Sequence, residues 1–263
     1  MFEADRPLIF AHRGGAKLAP ENTIPAIDNG MRLGADGFEI DVQLSADGVP
    51  VVIHDQTLER TTGHSGPVSA LSADELARVD AGFHFEADGG HPFRGQGVGI
   101  PRLVDLLKRH PVARVIIEMK GGQPELALAV AAAVRKTDAV KRVCVGSFYQ
   151  HALNAIREAD QDIVTSASTS EARWTLHRSW VRWPWVSKQP YVAFQVPEYA
   201  GRMRVVSPAF VRQVRKQGQV MQVWVVNERE DVRRLLDWGV DGIISDRPDI
   251  AVATRDEWCG LLP

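Results

Sequence analysis

His12-Arg13-Gly14-Gly15 follows a short apolar run, and His54-Asp55 follows another. Glu39 and Asp41 sit two apart in a third such run, so strand alternation points both to one face. Glu118 and Lys120 repeat that spacing, as do Gln222 and Trp224. Charges set among Val, Ile and Leu belong at an open mouth, because a dry interior cannot hold them unpaired. Glu39, Asp41 and Glu118 against Arg13 and Lys120 leave one surplus negative charge with both histidines neutral. A divalent cation makes the surplus positive, and a singly charged anionic substrate then cancels it. Without a metal, three converging carboxylates raise one another's pKa values. All-oxygen ligation favours Mg²⁺, Ca²⁺ or Mn²⁺ over zinc, and Arg13 and Lys120 supply anion-binding donors alongside. Simple ion pairing among these five residues is the competing reading, and it leaves the surplus charge unanswered.

His12 and His54, flanked by these charges, suit a general acid and a general base, each worth about 10²–10⁴ in rate. Zinc ligation is the rival role, but neither His-x-His nor His-Glu-x-x-His occurs. His64, His84, His91, His110, His151 and His177 fall in loop or helical positions and read as surface residues.

The elements that must position these groups alternate. Residues 8–11 read as a strand, and Asn22 as the cap of a helix that places Ile24, Ile27 and Met31 on one face before Gly34 stops it. Residues 37–44 form the next strand, and Asp47-Gly48 turns it into a hairpin with residues 49–53. Residues 56–100, rich in Gly, His and Asp, break the rhythm as an inserted excursion with one helical patch at 72–79. Pro101 then opens a helix over 103–109. Strands at 114–119, 142–147, 162–166, 191–196, 219–226 and 242–245 follow. Helices are expected at 125–135, 150–159, 208–217, 229–238 and from Pro248 onward. About eight strand–helix units imply an α/β protein with a parallel sheet, closed as a (β/α)8 TIM barrel. A doubly wound open sheet is the alternative, weakened by the lack of a Gly-x-Gly-x-x-Gly at the first helix.

Composition narrows the function classes. The chain has 263 residues, enough for one barrel and too few for a barrel plus a second domain, so one domain over 1–263 is expected. With 31 Lys+Arg against 33 Asp+Glu and no basic block, no nucleic-acid partner is expected. Cys144 and Cys259 lie far apart, which excludes a disulfide scaffold or a cysteine zinc site. No apolar run reaches the ~18 residues of a transmembrane segment. Glu3, Asp5 and Arg6 ahead of a very short apolar run argue against a signal peptide. The expectation is a soluble, cytoplasmic protein.

Several segments together resemble the glycerophosphodiester phosphodiesterase family. They are His12-Arg13-Gly14, Pro20-Glu21-Asn22-Thr23, Glu39-Ile40-Asp41-Val42, Asp47-Gly48 through His54-Asp55, Ile117-Glu118-Met119-Lys120, Trp224-Val225-Val226-Asn227, and Asp241-Gly242 to Asp246-Arg247-Pro248. Their joint order and spacing over residues 8 to about 250 carry the specificity; each tetrapeptide alone is weak. The resemblance implies a (β/α)8 barrel with a small insertion after the second strand, here matching residues 56–100. It implies that His12 and His54 are the acid and base, and that Glu39, Asp41 and Glu118 hold one divalent cation, Mg²⁺ or Ca²⁺, with Mn²⁺ a further option. It assigns phosphate binding to Arg13 and Lys120 and a substrate-side role to Trp224. Glu21 would support the site, with Asn22 kept as a helix cap. Val225 departs from the family's usual Thr; it is expected to face away from Trp224, with little consequence. The implied reaction hydrolyses a small-molecule glycerophosphodiester to sn-glycerol 3-phosphate and an alcohol, through attack of the glycerol 2-hydroxyl and a cyclic phosphodiester.

Three rivals stand beside this reading. An amidohydrolase barrel would want His-x-His on the first strand. A lysophospholipase D acting on lysolipid phosphodiesters would use the same residues. A non-enzymatic barrel serving as a binding module would fit better had either histidine been lost. Finally, the segment 173–188 holds Trp174, Trp180, Trp183 and Trp185 with Arg173, Arg178, Arg182 and Lys188. Tryptophan with arginine suits weak contact with a membrane surface. Packing of these rings against the barrel wall is the alternative, because Trp180 and Trp183 are three apart.

Overall fold

The computed structural model of the chain describes residues 1–180 and 189–261. Eight parallel strands run in the order β6-β5-β4-β2-β1-β11-β10-β7. They are β1 (Leu8–His12), β2 (Gly37–Leu44), β4 (Arg114–Met119), β5 (Val143–Gly146), β6 (Val164–Thr165), β7 (Ala193–Pro197), β10 (Val220–Trp224) and β11 (Gly242–Ser245). The short β3 (Pro50–Val52) adds antiparallel to β2 as the far arm of the Asp47-Gly48 hairpin. Among the described residues, two backbone bonds close the ring between β6 and β7, Val192 N to Thr165 O at 3.0 Å and Ala167 N to Ala193 O at 2.8 Å. This nearly closed barrel is the expected (β/α)8 architecture.

Helices follow the strands in turn: α1 (Ile24–Arg32), α3 (Leu103–Arg109), α4 (Pro124–Lys136), α5 (Gln150–Ala159), α6 (Thr169–Trp180), α7 (Pro208–Lys216), α8 (Arg229–Asp237) and α9 (Pro248–Trp258). Their apolar stripes bury against the outward-facing strand residues. Ile40, Val115, Ile117 and Val145 meet Leu106, Val130 and Leu153 on one side of the ring. Phe194, Val223 and Ile243 meet Phe210, Leu235 and Ala251 on the other. Strand residues of the opposite parity face inward. Leu8, Phe10, Ile116 and Ile244 fill the barrel interior with Met1 and Phe2 packed against them. Arg114 holds this amino-terminal segment by donating to the carbonyls of Met1 (2.9 Å) and Glu3 (3.0 Å). The amino-terminal segment and Arg114 therefore close the N-terminal end of the barrel, and His12, Asp41 and Glu118 lie toward the C-terminal ends of their strands.

Several boundaries differ from the sequence expectation. The inserted excursion has its own small core, in which Leu58, Val68, Leu76, Val79 and Ile100 pack on Val51 and Ile53. Its helical patch forms only one α-helical turn, α2 (Ala73–Leu76), nucleated by a Ser72/Glu75 capping box. After it the chain tightens into i→i−3 bonds, Arg78 N to Glu75 O and Val79 N to Leu76 O. A full helix, α6, occupies what reads in sequence only as a Trp-rich stretch. Ser168 and Glu171 start it reciprocally, Glu171 N donating to Ser168 Oγ (3.1 Å) and Ser168 N to the Glu171 carboxylate (2.8 Å). A two-residue hairpin pairing, β8 (Tyr199–Ala200) with β9 (Met203–Arg204), turns at Gly201 with φ +61°. No helix of the described residues is long and apolar enough to cross a membrane.

Of the expected membrane-contact segment, Trp183, Trp185, Arg182 and Lys188 lie outside the described residues. Trp174 is 65% exposed, so this ring does not pack on the barrel wall. Among the remaining histidines, His110 departs from a surface role. It stacks edge-on against Phe38 at 5.6 Å and donates to Asp28 at 3.0 Å.

Cys144 sits on β5 with no exposure, and burial pushes its thiol up to about 12. Cys259, just after α9, is partly exposed. A thiol reagent such as dithionitrobenzoate should therefore modify one cysteine in the native protein and the second only on unfolding. Rapid labelling of both in the folded state would contradict the buried position of Cys144.

Candidate active site

β1 delivers His12 at its last residue, and the chain then bends sharply under α1. Arg13 adopts φ +52° and Gly14 φ +86°. A Cβ on Gly14 would stand 2.7 Å from the backbone of Ile27, so only glycine fits this approach. The bend turns the Arg13 amide onto Glu39 Oε2 at 3.2 Å. His12 Nδ1 lies 2.6 Å from Asp246 Oδ1, and its Nε2 lies 3.7 Å from Glu39 Oε2. Asp246 is itself held: Asn227 Nδ2 donates to its Oδ2 (3.0 Å), and its own amide donates to Asn227 Oδ1 (2.9 Å). Burial disfavours a charged His12 ring, but the carboxylates of Glu39 and Asp246 outweigh it and raise its pKa. Burial likewise opposes ionisation of Asp246, yet the hydrogen bond and charge of His12 hold its pKa down.

The floor is carboxylate-rich. In the β1–β2 and β2–β4 ladders, His12 lies beside Glu39 and Asp41 beside Glu118. One oxygen from each of Glu39, Asp41 and Glu118 falls within 4.8 Å of the others. Asp41 is fully buried and drawn to two cations, Arg13 Nε at 3.1 Å and Lys120 Nζ at 3.0 Å. Burial opposes its ionisation, but Lys120 and Arg13 keep its pKa low. Glu39 behaves oppositely: burial, then the neighbouring Asp41, pushes it up to about 8. Burial also raises Glu118 against the pull of Lys120, which contacts it at 2.8 Å. Asp41 Oδ1 is buried without a properly directed hydrogen bond. An oxygen-only trio with crowded charge and an under-satisfied acceptor fits a hard divalent cation.

Asn22 is not the cap of α1. That role falls to Thr23, whose hydroxyl accepts from Ala26 N. Asn22 is buried at φ +59° and clamps Asp41 from both sides: its Nδ2 donates to Oδ2 (2.8 Å) and its Oδ1 accepts the Asp41 amide (3.2 Å). Asn22→Ala should cost about 1–3 kcal/mol, since the Asp41 amide would be left buried and unsatisfied and its Oδ2 would keep only Arg13. Thr23→Ala should cost only about 1 kcal/mol, as for an ordinary cap. Paired denaturant titrations of the two variants check the ranking.

The second histidine stands on the loop after β3. Gln43 Nε2 holds the His54 carbonyl at 3.0 Å, and His54 Nδ1 donates to Asp55 Oδ1 at 2.5 Å. The Asp55 carboxyl opposes burial through bonds from Arg60 and His54 and is held down to about 2. Asp55 is thus an acceptor across the neutral range, which commits His54 Nδ1 as the donor and leaves Nε2 as the ring nitrogen for chemistry at the cavity that His54 lines. Both histidines share this orientation device, a carboxylate on Nδ1. His12, Arg13, Glu39, His54, Glu118, Lys120 and Trp224 line one cavity of about 430 Å³, with Asp41 beneath them. All eight residues singled out in the sequence therefore converge. Phe148 stands over Lys120 at 5.4 Å and edge-on to Trp224 at 6.1 Å. The rest of the lining is mixed: Ala172, Leu176, Val196, Met203 and Val205 stand among Ser168, Thr169, Arg173 and Gln195. Val225 lines the same cavity as Trp224 rather than facing away, because β10 ends at Trp224 and strand alternation ends with it.

Sequence reasoning passed over Asp246 and Asp55 as the histidines' partners, Asn22 as the clamp on Asp41, and Phe148. Asp55 had a signal in its adjacency to His54. Asp246 had one in its position just past the last strand, where barrel chemistry collects.

The glycerophosphoryl diester phosphodiesterase family model matches residues 12–250. The chain is 32% identical over 253 residues to the glycerophosphodiester phosphodiesterase of Caldanaerobacter subterraneus subsp. tengcongensis, covering 94% of this chain and 97% of that protein. The crystal structure of a glycerophosphodiester phosphodiesterase from Agrobacterium tumefaciens is 30% identical, covers 93% of this chain and 99% of its own, and superposes with a TM-score of 0.76. An Oleispira antarctica phosphodiesterase, solved in complex with the product sn-glycerol-3-phosphate, shares the fold at a TM-score of 0.75 and 22% identity, covering 95% and 97% of the two chains.

Proposed function

The chain belongs to the glycerophosphoryl diester phosphodiesterase family, and from that premise we propose that it hydrolyses glycerophosphodiesters to sn-glycerol 3-phosphate and an alcohol with His12 and His54 as its two proton carriers. The observation that carries this reading is the paired histidines, each held through Nδ1 by a carboxylate, on one cavity floored by three carboxylates. In the first step one histidine takes the proton of the glycerol 2-hydroxyl at Nε2, and that oxygen attacks phosphorus. The other gives a proton to the departing alkoxide, leaving a cyclic phosphodiester. Water then opens the ring with the two roles exchanged, and both histidines return to their starting states. Arg13 and Lys120 face the phosphate oxygens as fixed cations. Trp224 and Phe148, edge to face, supply the aromatic surface at that end of the cavity. Mg²⁺, Ca²⁺ or Mn²⁺ bound by Glu39, Asp41 and Glu118 would offset the negative charge that grows on the phosphoryl group.

The small-molecule product bound in the Oleispira antarctica enzyme supports this substrate class. The aliphatic side chains in the lining, Leu176, Val196, Met203 and Val205, favour a second reading, cleavage of lysolipid phosphodiesters by the same groups. One panel tests both: glycerophosphocholine, -ethanolamine, -glycerol and -inositol beside lysolipids, with release of sn-glycerol 3-phosphate and of the free alcohol measured under several divalent ions. Release of sn-glycerol 3-phosphate from the soluble diesters is expected, and no release from any of them would overturn the reading.

A further inference from the structure

The inserted excursion places one guanidinium where it touches the partners of two site residues at once. Arg60 Nε donates to Asp55 Oδ2 at 2.5 Å and its Nη2 to Asp55 Oδ1 at 3.2 Å. On its other edge Nη1 and Nη2 donate to Glu21 Oε2 and Oε1 at 2.8 and 2.7 Å, a two-pronged grip. Asp55 is the acceptor behind His54, and Glu21 is the acceptor of Arg13 Nη1 at 2.8 Å. A continuous chain therefore runs His54–Asp55–Arg60–Glu21–Arg13. Leu58 anchors the segment carrying Arg60 in the excursion's small core, and Thr62 ties it down by donating to the Leu58 carbonyl at 2.7 Å. Neither carboxylate has another cation of comparable geometry among the described residues: Arg13 reaches Glu21 only through one nitrogen, and Asp55 meets no other.

We propose that Arg60 is a positioning residue for the reaction, fixing Asp55 behind His54 and Glu21 behind Arg13 so that one planar fork sets the directions of a proton carrier and a phosphate-binding cation. It does not line the cavity, so it acts through the two carboxylates and not on substrate. A lysine cannot replace it. Four bonds to two carboxylates need the flat guanidinium, whereas an ammonium is a point charge on a flexible stem. The inference also gives the excursion between β3 and α3 a task beyond covering the hairpin.

The inference rests on His54 acting as a proton carrier, and the test separates the two. Arg60→Met should lower kcat about 10- to 100-fold with KM changed less than about threefold, as for a lost transition-state alignment. The limb of the pH–rate profile that disappears in His54→Ala should shift in Arg60→Met. Arg60→Lys should recover little. Asp55→Asn/Arg60→Met should be slower than Asp55→Asn alone by less than the full Arg60→Met loss, because the branch through Asp55 is already weakened and only the branch through Glu21 remains. Arg94→Met is the control: that arginine lies in the same excursion and donates to the Phe83 carbonyl at 2.8 Å, so kcat and pH profile should stay at wild type. The side chain of Arg60 is 47% exposed, so the fold should survive. Added guanidinium ion should partly restore an Arg60→Ala protein, a second measurement that does not depend on the methionine variant. Wild-type kcat and pH profile in Arg60→Met, or a double variant in which the two single losses multiply in full, would overturn the proposal. Full activity in His54→Ala would instead overturn the two-histidine reading itself.

Discussion

Removing divalent ions with a chelator should reduce turnover to background, and Mg²⁺, Ca²⁺ or Mn²⁺ should restore it. The charge count in the folded site is more lopsided than in the sequence. Among the described residues, Glu21, Glu39, Asp41, Asp55, Glu118 and Asp246 share three permanent cations, Arg13, Arg60 and Lys120, with His12 against Glu39 and Asp246 and His54 against Asp55. The metal-free protein relieves part of that excess by holding a proton on Glu39, whose carboxyl is pushed up to about 8 by burial and then by Asp41. A cation bound by Glu39, Asp41 and Glu118 must displace that proton, so binding and proton release are linked. Below about pH 8 Glu39 is largely protonated, and affinity should fall by about tenfold for each unit of pH lost through this one group. Above that pH the carboxylate is already free, and the dependence should flatten. Calorimetric titration of metal into stripped protein at pH 6, 7 and 8 reads both the affinity and the protons released. Glu39→Gln should remove most of this pH dependence and weaken binding. Full activity in protein shown by elemental analysis to be metal-free would refute the requirement.

The legible parts of this protein are those in which a local pattern and the tertiary environment agree. α3, α5, β4 and β11 fall where periodicity puts them, because each apolar stripe or run has one face to bury. The barrel's eight units are visible for the same reason. α6 is harder: Arg173, Trp174 and His177 are exposed and blur its apolar face, although Ser168 and Glu171 carry the start signal. The site splits along a similar line. Glu39, Asp41, Glu118 and Lys120 stand out because charge on a strand of Val and Ile is anomalous wherever it occurs. Asp246, Asp55 and Arg60 lie in loops, where no period assigns a direction, and their partners are fixed by chain closure. Asp246 reaches His12 from the opposite end of the sequence. Asn22 reads as a cap because its residue type suits one. The left-handed backbone at Asn22 and its two hydrogen bonds with Asp41 belong to the tertiary structure alone.

His12→Ala and His54→Ala should each lower kcat by about 10²–10⁴, the range expected for loss of a general acid or base. The loss should appear in kcat more than in KM, since proton transfer stabilises the transition state and not the bound substrate. Both side chains border the cavity, 15% and 32% exposed, and neither belongs to a core cluster, so truncation should leave the melting transition nearly unchanged. The two variants should differ with leaving group. A substrate whose alcohol has a low pKa needs no protonation as it departs, so it should partly rescue whichever variant lacks the general acid and leave the other slow. That comparison assigns acid and base between two rings that geometry makes alike, each with a carboxylate on Nδ1. Asp246→Asn and Asp55→Asn should lie between these variants and wild type, because an amide still accepts from Nδ1 but no longer offsets the charge of an imidazolium. The double variant His12→Ala/His54→Ala should lose little beyond the worse single one, since a concerted step that has lost one proton carrier gains nothing from the other. Two modest losses that simply multiply would mean the histidines act in separate, minor ways, and the paired acid–base mechanism would be wrong.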